Sequence, residues 1–294
     1  MTHFTIKDIE NLCGIKAHTL RIWEQRYQLF VPKRKESQHR IYDCEDLKTL
    51  LRISFLYHNG YKISKIAKLN AIQIRDEVSA MQVKPCNYEI YVHQLIEASV
   101  KFEEKDFEKI VNDLVSHIGL EKSIFAVFYP FLQRIGMLWM TNHVVPAQEH
   151  FSSYIIQKKI IAGIDKLEIN KMENTNVVIF SPVGEMHELP LLVVNYLLKK
   201  NGVSTTYFGI NVSVEALVEY SQQHSISHFY SNIITHLDSC GMDDSICLLC
   251  KHFPDIPFML SGPASNCVQK IPANLNSLGS LDEIIQFTNS FRNY

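Results

Sequence analysis

A short stretch after an apolar, β-branched run, SPVGEMHELPLL, places Glu185 two residues before His187. An imidazole can bind a metal through one ring nitrogen while a carboxylate holds the other nitrogen. This spacing therefore predicts a ligand arm in which Glu185 orients His187, on a loop that Gly184 allows to turn openly. The residues alone leave a second interpretation open, in which His187 only caps the helix that follows.

A second group of residues with chemical potential lies upstream, in GMLWMTNHVVPAQEHFSS. Nine residues separate Trp139 from the adjacent pair Glu149 and His150. We expect Trp139 at the end of one helix and the pair in the first turn of the next, so that all three converge on one end of a helical domain. The alternative is ordinary: Trp139 packs in a core and the pair is solvated.

The N-terminal segment differs from the rest in charge. Residues 1–70 contain thirteen Lys and Arg against seven Asp and Glu, a net charge of +6, which leaves −8 for the remainder of the chain. A basic segment joined to an acidic body is typical of a nucleic-acid-binding head on a body with another role. A charged, solvated face remains the alternative.

The pattern within this segment predicts a winged helix-turn-helix. TIKDIENLC has helical spacing, Gly14 ends that helix, and KAHTLRIWEQRY begins a second one. The second helix is basic, as a helix entering a major groove must be. The run KRKESQHRIY predicts a two-stranded wing, Asp43 predicts the N-cap of a further helix, and Gly60 a break after it.

These residues resemble the MerR family of regulators, through TIKDI, TLRIWEQRY, HRIY and LLRISFLYHNGYKISKIAKL. The resemblance implies that Arg21, Arg26 and Tyr27 contact DNA, together with His39 and Arg40 of the wing. We expect Leu20, Trp23 and Tyr42 to stabilise the small domain instead. The full set predicted to bind DNA is Lys16, His18, Arg21, Arg26, Tyr27, Arg34, His39 and Arg40.

The remaining sequence changes its periodicity once. Apolar residues at helical spacing, with breaks near 103, 118 and 143, predict a four-helix bundle. From residue 176 short β-branched runs alternate with helical segments, which predicts a doubly wound parallel sheet. We expect strands near 176–181, 203–208, 228–234, 257–261 and 275–278, and helices near 187–200, 213–223, 241–252 and 281–291.

The order of GEMHELP, YSNI and LSGPAS behind a helical bundle resembles the cobalamin-binding module, and behind a MerR-like head it resembles the light-responsive CarH/LitR repressors. The resemblance implies that His187 is the lower ligand of cobalt and that Trp139, Glu149 and His150 enclose the adenosyl face. It also implies that Ser231 and Gly262 flank the nucleotide tail. The predicted cofactor site is Trp139, Glu149, His150, Glu185, His187, Ser231 and Gly262, with adenosylcobalamin as cofactor.

Four features depart from the family pattern, and one of them is Ser231-Asn232-Ile233 in place of Ser-x-Leu. Pro190 replaces the Gly of Glu-x-His-x-x-Gly, and Ser261-Gly262 replaces a Gly-Gly pair. Met140 follows Trp139 where light-sensing members have a His, which leaves His143 and His150 as the imidazoles near that face. These differences keep open a regulator of the same architecture whose third domain binds a protein or another ligand.

The expected protein is thus a multidomain α and α/β chain: a MerR-type winged helix at 1–75, a four-helix bundle at 86–170 and a Rossmann-like domain at 175–294. We expect a repressor that binds a double-stranded operator and cobalamin as a homo-oligomer, a dimer or a tetramer. A corrinoid carrier for methyl transfer is disfavoured because it has no use for a winged helix, so no enzyme is expected.

We expect neither a secretory signal nor a membrane span, and the seven cysteines indicate free thiols, so we expect a cytoplasmic protein. The spacing of Cys247 and Cys250 is half of a zinc site, without a second pair.

Overall fold

Two units make up the fold, residues 1–156 and residues 157–294. The structure, a computed structural model, describes the residues in the following ranges: 4–30, 33–34, 40–80, 88–140, 146–167, 175–234, 239–263 and 272–291. For some of these the backbone alone is described: residues 33–34, 44, 79–80, 137–140 and 239–245. We describe each unit by itself.

The first unit begins with the predicted winged helix-turn-helix, which is built from seven elements: α1 (Ile6–Cys13), α2 (Ala17–Tyr27), β1 (Lys33–Arg34), β2 (Arg40–Ile41), α3 (Cys44–His58), α4 (Ile63–Ile66) and α5 (Ala71–Ala80). Gly14 ends α1 at a φ of 68°, where a glycine carries no steric penalty. The Asp43 carboxylate accepts hydrogen bonds from the backbone N–H groups of Glu45 and Asp46 at 3.0 Å, which confirms the predicted N-cap of α3. Leu20, Trp23 and Tyr42 are buried, as expected.

The helical bundle follows, with the predicted breaks near 103 and 118, while the break predicted near 143 lies outside the described residues. Its helices are α6 (Glu89–Val100), α7 (Glu104–Ile118), α8 (Leu120–Ser123), α9 (Tyr129–Met140) and α10 (Pro146–Asp165). A π-helical segment, Ile124–Phe128, joins α8 to α9, so the third predicted helix is continuous but widened in its middle. The boundary between the two units falls within α10.

The second unit contains the predicted parallel sheet. Its elements are β3 (Val177–Pro182), α11 (Leu189–Lys200), β4 (Thr205–Val212), α12 (Val214–Ser221), β5 (His228–Asn232), α13 (Ser239–His252), β6 (Phe258–Ser261), β7 (Leu275–Leu278) and α14 (Leu281–Ser290). The strand order is β4-β3-β5-β6-β7, and all four pairings are parallel. The chain reverses its direction of winding between β3 and β5. In such sheets ligands bind outside the carboxyl ends of the strands at this reversal.

Candidate DNA interface and cofactor site

The outer face of α2 carries three of the eight side chains predicted to contact DNA. His18, Arg21 and Arg26 are exposed, while Leu20 and Trp23 on the opposite face are buried. The Trp23 ring packs edge-on against Tyr57 of α3, with 4.9 Å between centroids. The core therefore fixes the helix through one face and leaves its basic face open.

Two further residues predicted to contact DNA, Lys16 and Tyr27, lie at the two ends of α2. The Lys16 ammonium pairs with the Glu10 carboxylate at 3.0 Å, and this hydrogen bond lowers the pKa of Glu10. The other oxygen of Glu10 accepts the backbone N–H of Ala17 at 3.0 Å, so α1 caps the start of α2. At the far end, the Arg26 guanidinium lies 5.4 Å from the centre of the half-exposed Tyr27 ring.

Arg40 of the wing has a partner within the head. Its Nε donates to the Glu24 carboxylate at 2.6 Å, and both side chains are largely shielded, with 19% and 14% of their surface exposed. This hydrogen bond raises the pKa of Arg40. Arg40 therefore ties β2 to α2, and its direct contact with DNA stays a prediction. Only the backbone of Arg34 is described, and His39 lies outside the described residues.

The loop after β3 fixes His187 through a buried carboxylate. Glu185 is fully buried, and its Oε1 accepts hydrogen bonds from the backbone N–H of His187 at 2.9 Å and from Nδ1 of His187 at 2.6 Å. Its Oε2 accepts the backbone N–H of Ile234, just after β5, at 2.7 Å. One carboxylate thus links the carboxyl ends of the two strands between which the sheet reverses.

This geometry suits a metal ligand better than a helix cap. Because Glu185 holds Nδ1, a metal would bind His187 at Nε2, and 43% of the His187 side chain is exposed. The N-cap of α11 is Glu188, one residue later. Pro190 occupies the first turn of α11, where its missing N–H costs nothing, so this departure from the family pattern leaves the helix intact.

Polar atoms are buried beside this loop at the ends of β5 and β6. Among the described residues, Ser231 Oγ and Asn232 Oδ1 are buried without a hydrogen-bond partner. Gly262 has a φ of +95°, and a Cβ there would lie 2.2 Å from the carbonyl oxygen of Ile233. An unpaired buried polar atom costs free energy. Ser231 Oγ and Asn232 Oδ1 therefore fit a polar ligand that would form hydrogen bonds with them.

The sequence did not reveal how Ser261 is accommodated. Its hydroxyl is fully buried and lies 2.7 Å from both the Tyr230 hydroxyl and the Asn232 amide nitrogen. These partners lie 31 and 29 residues away in the chain, so no local pattern could have indicated them. The Ser in place of a family Gly is therefore a member of an internal polar network.

The start of α10 is fixed to α6 by buried polar side chains. The Gln148 amide donates to the carbonyl of Val100 at 2.7 Å, and the hydroxyls of Ser99 and Ser152 lie 2.6 Å apart. The predicted pair therefore points outward: Glu149 and His150 are 30% and 77% exposed and lie 3.0 Å apart. Trp139 is in the last turn of α9, but its side chain is not described, and His143 lies outside the described residues.

Two negative findings apply to the described part of the chain. No helix there is long and apolar enough to span a bilayer. No three or more His, Cys, Asp and Glu side chains there are grouped to hold a metal ion on their own. Cys247 and Cys250, half of a zinc spacing, lie on α13.

Comparison with known families gives matches to two separate parts of the chain. The profile of MerR HTH family regulatory proteins matches residues 4–71, and that of the B12 binding domain matches residues 91–162. The chain is 22% identical to the HTH-type transcriptional repressor CarH of Myxococcus xanthus over 221 residues, which is 73% of each chain. It is 24% identical to the repressor CarA of the same organism, over 72% of this chain and 70% of CarA.

Among solved structures, the monomethylamine corrinoid protein of Methanosarcina barkeri superposes with a TM-score of 0.56. The identity is 17%, and the match covers 67% of this chain and 95% of that protein. At this identity the likeness shows a shared fold, namely a helical bundle with a parallel sheet.

Proposed function

We propose that this chain, which has a MerR-type winged helix and a cobalamin-binding module, is a transcriptional repressor that binds adenosylcobalamin and responds to light. We assign residues 1–75 to DNA binding, residues 86–170 to a helical cap over the cofactor, and residues 175–294 to the Rossmann-like cofactor domain. The homology to CarH and CarA over most of the chain supports this assignment.

The observation that carries the proposal is the link between His187, the buried Glu185 and Ile234 at the point where the sheet reverses. Cobalamin brings most of the ligands of its cobalt ion, and His187 would supply one imidazole from the protein. Glu185 holds the proton on Nδ1 and presents Nε2 of His187 to cobalt. Ser231 Oγ would receive the nucleotide tail, and Gly262, which packs closely against the backbone of Ile233, would lie beside it.

We further propose that the bundle covers the opposite face of the cofactor. Trp139, Glu149 and His150 are the residues assigned to it, and the outward position of Glu149 and His150 on an anchored helix supports this role. When bound, adenosylcobalamin supplies a cobalt–carbon bond that light can break. Met140 offers a thioether rather than an imidazole after Trp139, so His143 or His150 would have to approach the exposed face after illumination.

At the other end, α2 would enter the major groove of an operator. His18, Arg21 and Arg26 are exposed there, with Lys16 and Tyr27 at its two ends. Wing residues Arg34 and His39 would lie along the phosphates, and Arg40, paired with Glu24, would position the wing. A two-fold symmetric operator read by a dimer or a tetramer is the expected arrangement.

The deciding experiment mixes purified full-length protein with adenosylcobalamin in the dark and follows three quantities. These are the absorption spectrum of the protein fraction, its elution volume on gel filtration, and the amount of DNA that it retains from a library of DNA duplexes. Each is measured before and after illumination. Co-elution of cobalamin, with a change of elution volume and of DNA retention on illumination, supports the proposal. Cobalamin binding that light leaves unchanged supports a cofactor sensor without photochemistry.

A second candidate is a MerR-type regulator that does not use cobalamin. It is favoured by one observation: Ser261 fills a family Gly position and is held by Tyr230 and Asn232. Sequence-specific DNA binding without any co-elution of cobalamin would decide for this candidate. We do not propose a methyl-transfer carrier, since the winged helix has no part in that chemistry.

A further inference from the structure

The exposed face of α2 contains one apolar side chain that the fold does not use. His18, Arg21, Ile22, Gln25 and Arg26 are exposed and follow the spacing of a single helical face. Ile22 lies in the middle of this face and is 50% exposed. The helix packs on the core through other residues, as Leu20 and Trp23 are 1% and 4% exposed.

Ile22 has no stabilising role that the structure reveals. A β-branched residue slightly disfavours a helix, and an exposed isoleucine gains little by burial in the folded monomer. A single exposed apolar side chain is common on any surface, but this one stands between cationic side chains on the helix proposed to enter DNA. In the major groove, the apolar feature of the base edges is the C5-methyl group of thymine.

Gln25 supports the same interpretation. It follows Ile22 by three positions, so the two side chains are neighbours on the helix surface. A glutamine amide can donate one N–H to N7 of adenine while its carbonyl oxygen accepts from the N6 amino group. Thymine and adenine present these features on the same base pair.

We propose that Ile22 and Gln25 determine operator specificity by reading an A·T base pair. Ile22 packs on the thymine C5-methyl group, and Gln25 forms paired hydrogen bonds with N6 and N7 of adenine. Arg21 and Arg26 on either side neutralise phosphates and hold the helix in register. This inference rests on the proposed function, because it requires α2 to lie in the major groove.

The test starts by selecting tight-binding duplexes from a random library with the full-length protein, with and without adenosylcobalamin in the dark. Each thymine of the selected site is then replaced by deoxyuridine, which removes only the C5-methyl group, and each adenine by 7-deazaadenine, which removes only the N7 acceptor. We expect one thymine at which the loss of the methyl group weakens binding about four-fold, the value of one buried CH₂ group. At the adenine paired with this thymine, we expect removal of N7 to weaken binding by about five-fold or more.

Variants assign these effects to residues. Ile22→Ala should bind the thymine and deoxyuridine duplexes equally, because the partner of the methyl group is gone. Gln25→Ala should lose its sensitivity to 7-deazaadenine and accept other base pairs at that position. The matched control is Ile72→Ala, since Ile72 is 62% exposed on α5, away from α2. Like the parent protein, Ile72→Ala should bind less tightly when thymine is replaced by deoxyuridine or adenine by 7-deazaadenine.

The outcomes separate two kinds of failure. If no duplex is selected at all, the proposed DNA-binding function fails, and this inference with it. If a defined site is selected but no deoxyuridine substitution weakens binding of the parent protein, the regulator stands and the role of Ile22 is overturned. An unchanged methyl dependence in Ile22→Ala has the same consequence, and the parent measurement alone suffices should that variant fold poorly.

Discussion

On α2 the side chains proposed for DNA are exposed and carry their charge on long, rotatable stems, whereas after β3 the Glu185 carboxylate is fully buried and joined to both His187 and Ile234. Phosphate contacts from such exposed residues act nearly independently, and each is weakened by salt. A metal ligand that is oriented by a buried partner depends on that partner and on the hydrogen bonds that hold it. We therefore expect single substitutions to cost far more in the loop than on the helix.

The largest effect is expected for His187→Ala. This change removes the proposed cobalt ligand while leaving the sheet intact, because 43% of the side chain is exposed. Cobalamin affinity in the dark should fall by about 100-fold or more, with the unfolding temperature nearly unchanged. Equilibrium dialysis against adenosylcobalamin measures the first quantity and thermal unfolding the second.

The matched control for this variant is His252→Ala, an exposed histidine at the end of α13. It should bind cobalamin like the parent. Cobalamin affinity that survives in His187→Ala would remove His187 from the cobalt site and would favour the cobalamin-independent regulator or a cofactor that keeps its own base.

Glu185→Gln should have the next largest effect. Glutamine keeps the shape but replaces one acceptor oxygen by an N–H₂ donor, so it cannot serve both His187 Nδ1 and the N–H of Ile234. We expect cobalamin affinity to fall about 10- to 100-fold, the usual cost of losing a partner that orients a metal ligand. Stability should fall too, by about 1–3 kcal/mol, because a buried donor is left unpaired. Glu188→Gln, next to the loop, is the control, and equal losses in both variants would contradict a specific role for Glu185.

On the DNA side, Arg21→Ala and Arg40→Ala should differ in kind. Exposed Arg21 should behave as a phosphate contact, so its loss weakens binding to all sequences and reduces the slope of log K against log [salt] by about 1. Arg40 is paired with Glu24 at 2.6 Å and should act by positioning the wing. Its loss should weaken binding at every salt concentration with the slope unchanged. A reduced slope in Arg40→Ala would restore Arg40 as a direct contact.

The elements of both regions were predictable because they follow local patterns. Helical spacing, Gly14 and the Asp43 cap fixed the helices of the head, and alternating β-branched runs located β3 to β7 within a few residues. The pairing of Glu185 with His187 could also be predicted, since only one residue separates them.

The sequence did not predict contacts between distant segments. Arg40 and Glu24 are 16 residues apart, and Glu185 and Ile234 are 49 residues apart. Such pairs depend on which helices and strands become neighbours, and no periodicity encodes that choice. The π-helical segment at Ile124–Phe128 was missed for a related reason, because one widened turn leaves the apolar spacing of the helix almost unchanged.

The smallest effect is expected for a substitution that weakens the contact between the winged-helix head and the helical bundle within the first unit. Glu97 of α6 accepts Arg52 and Lys48 of α3, with nitrogen–oxygen distances of 2.5 and 3.3 Å. A second pair, Lys101 with Glu45 at 2.6 Å, joins the same two helices, and its hydrogen bond lowers the pKa of Glu45. The winged-helix head is thus attached to the helical bundle by charge as well as by the chain.

Glu97→Gln should therefore destabilise the first unit by about 0.5–1 kcal/mol at low salt, because it leaves two cations together without their carboxylate. The difference from the parent should shrink as salt is added, since these groups remain partly exposed. Thermal unfolding at two salt concentrations measures it, with Glu104→Gln on the exposed face of α7 as control. One outcome is that Glu97→Gln keeps its cobalamin affinity and yet loses the effect of cobalamin on DNA affinity. In that case the contact between α3 and α6 couples the proposed cobalamin site to the proposed DNA interface. If the effect of cobalamin on DNA affinity persists, this contact only stabilises the first unit.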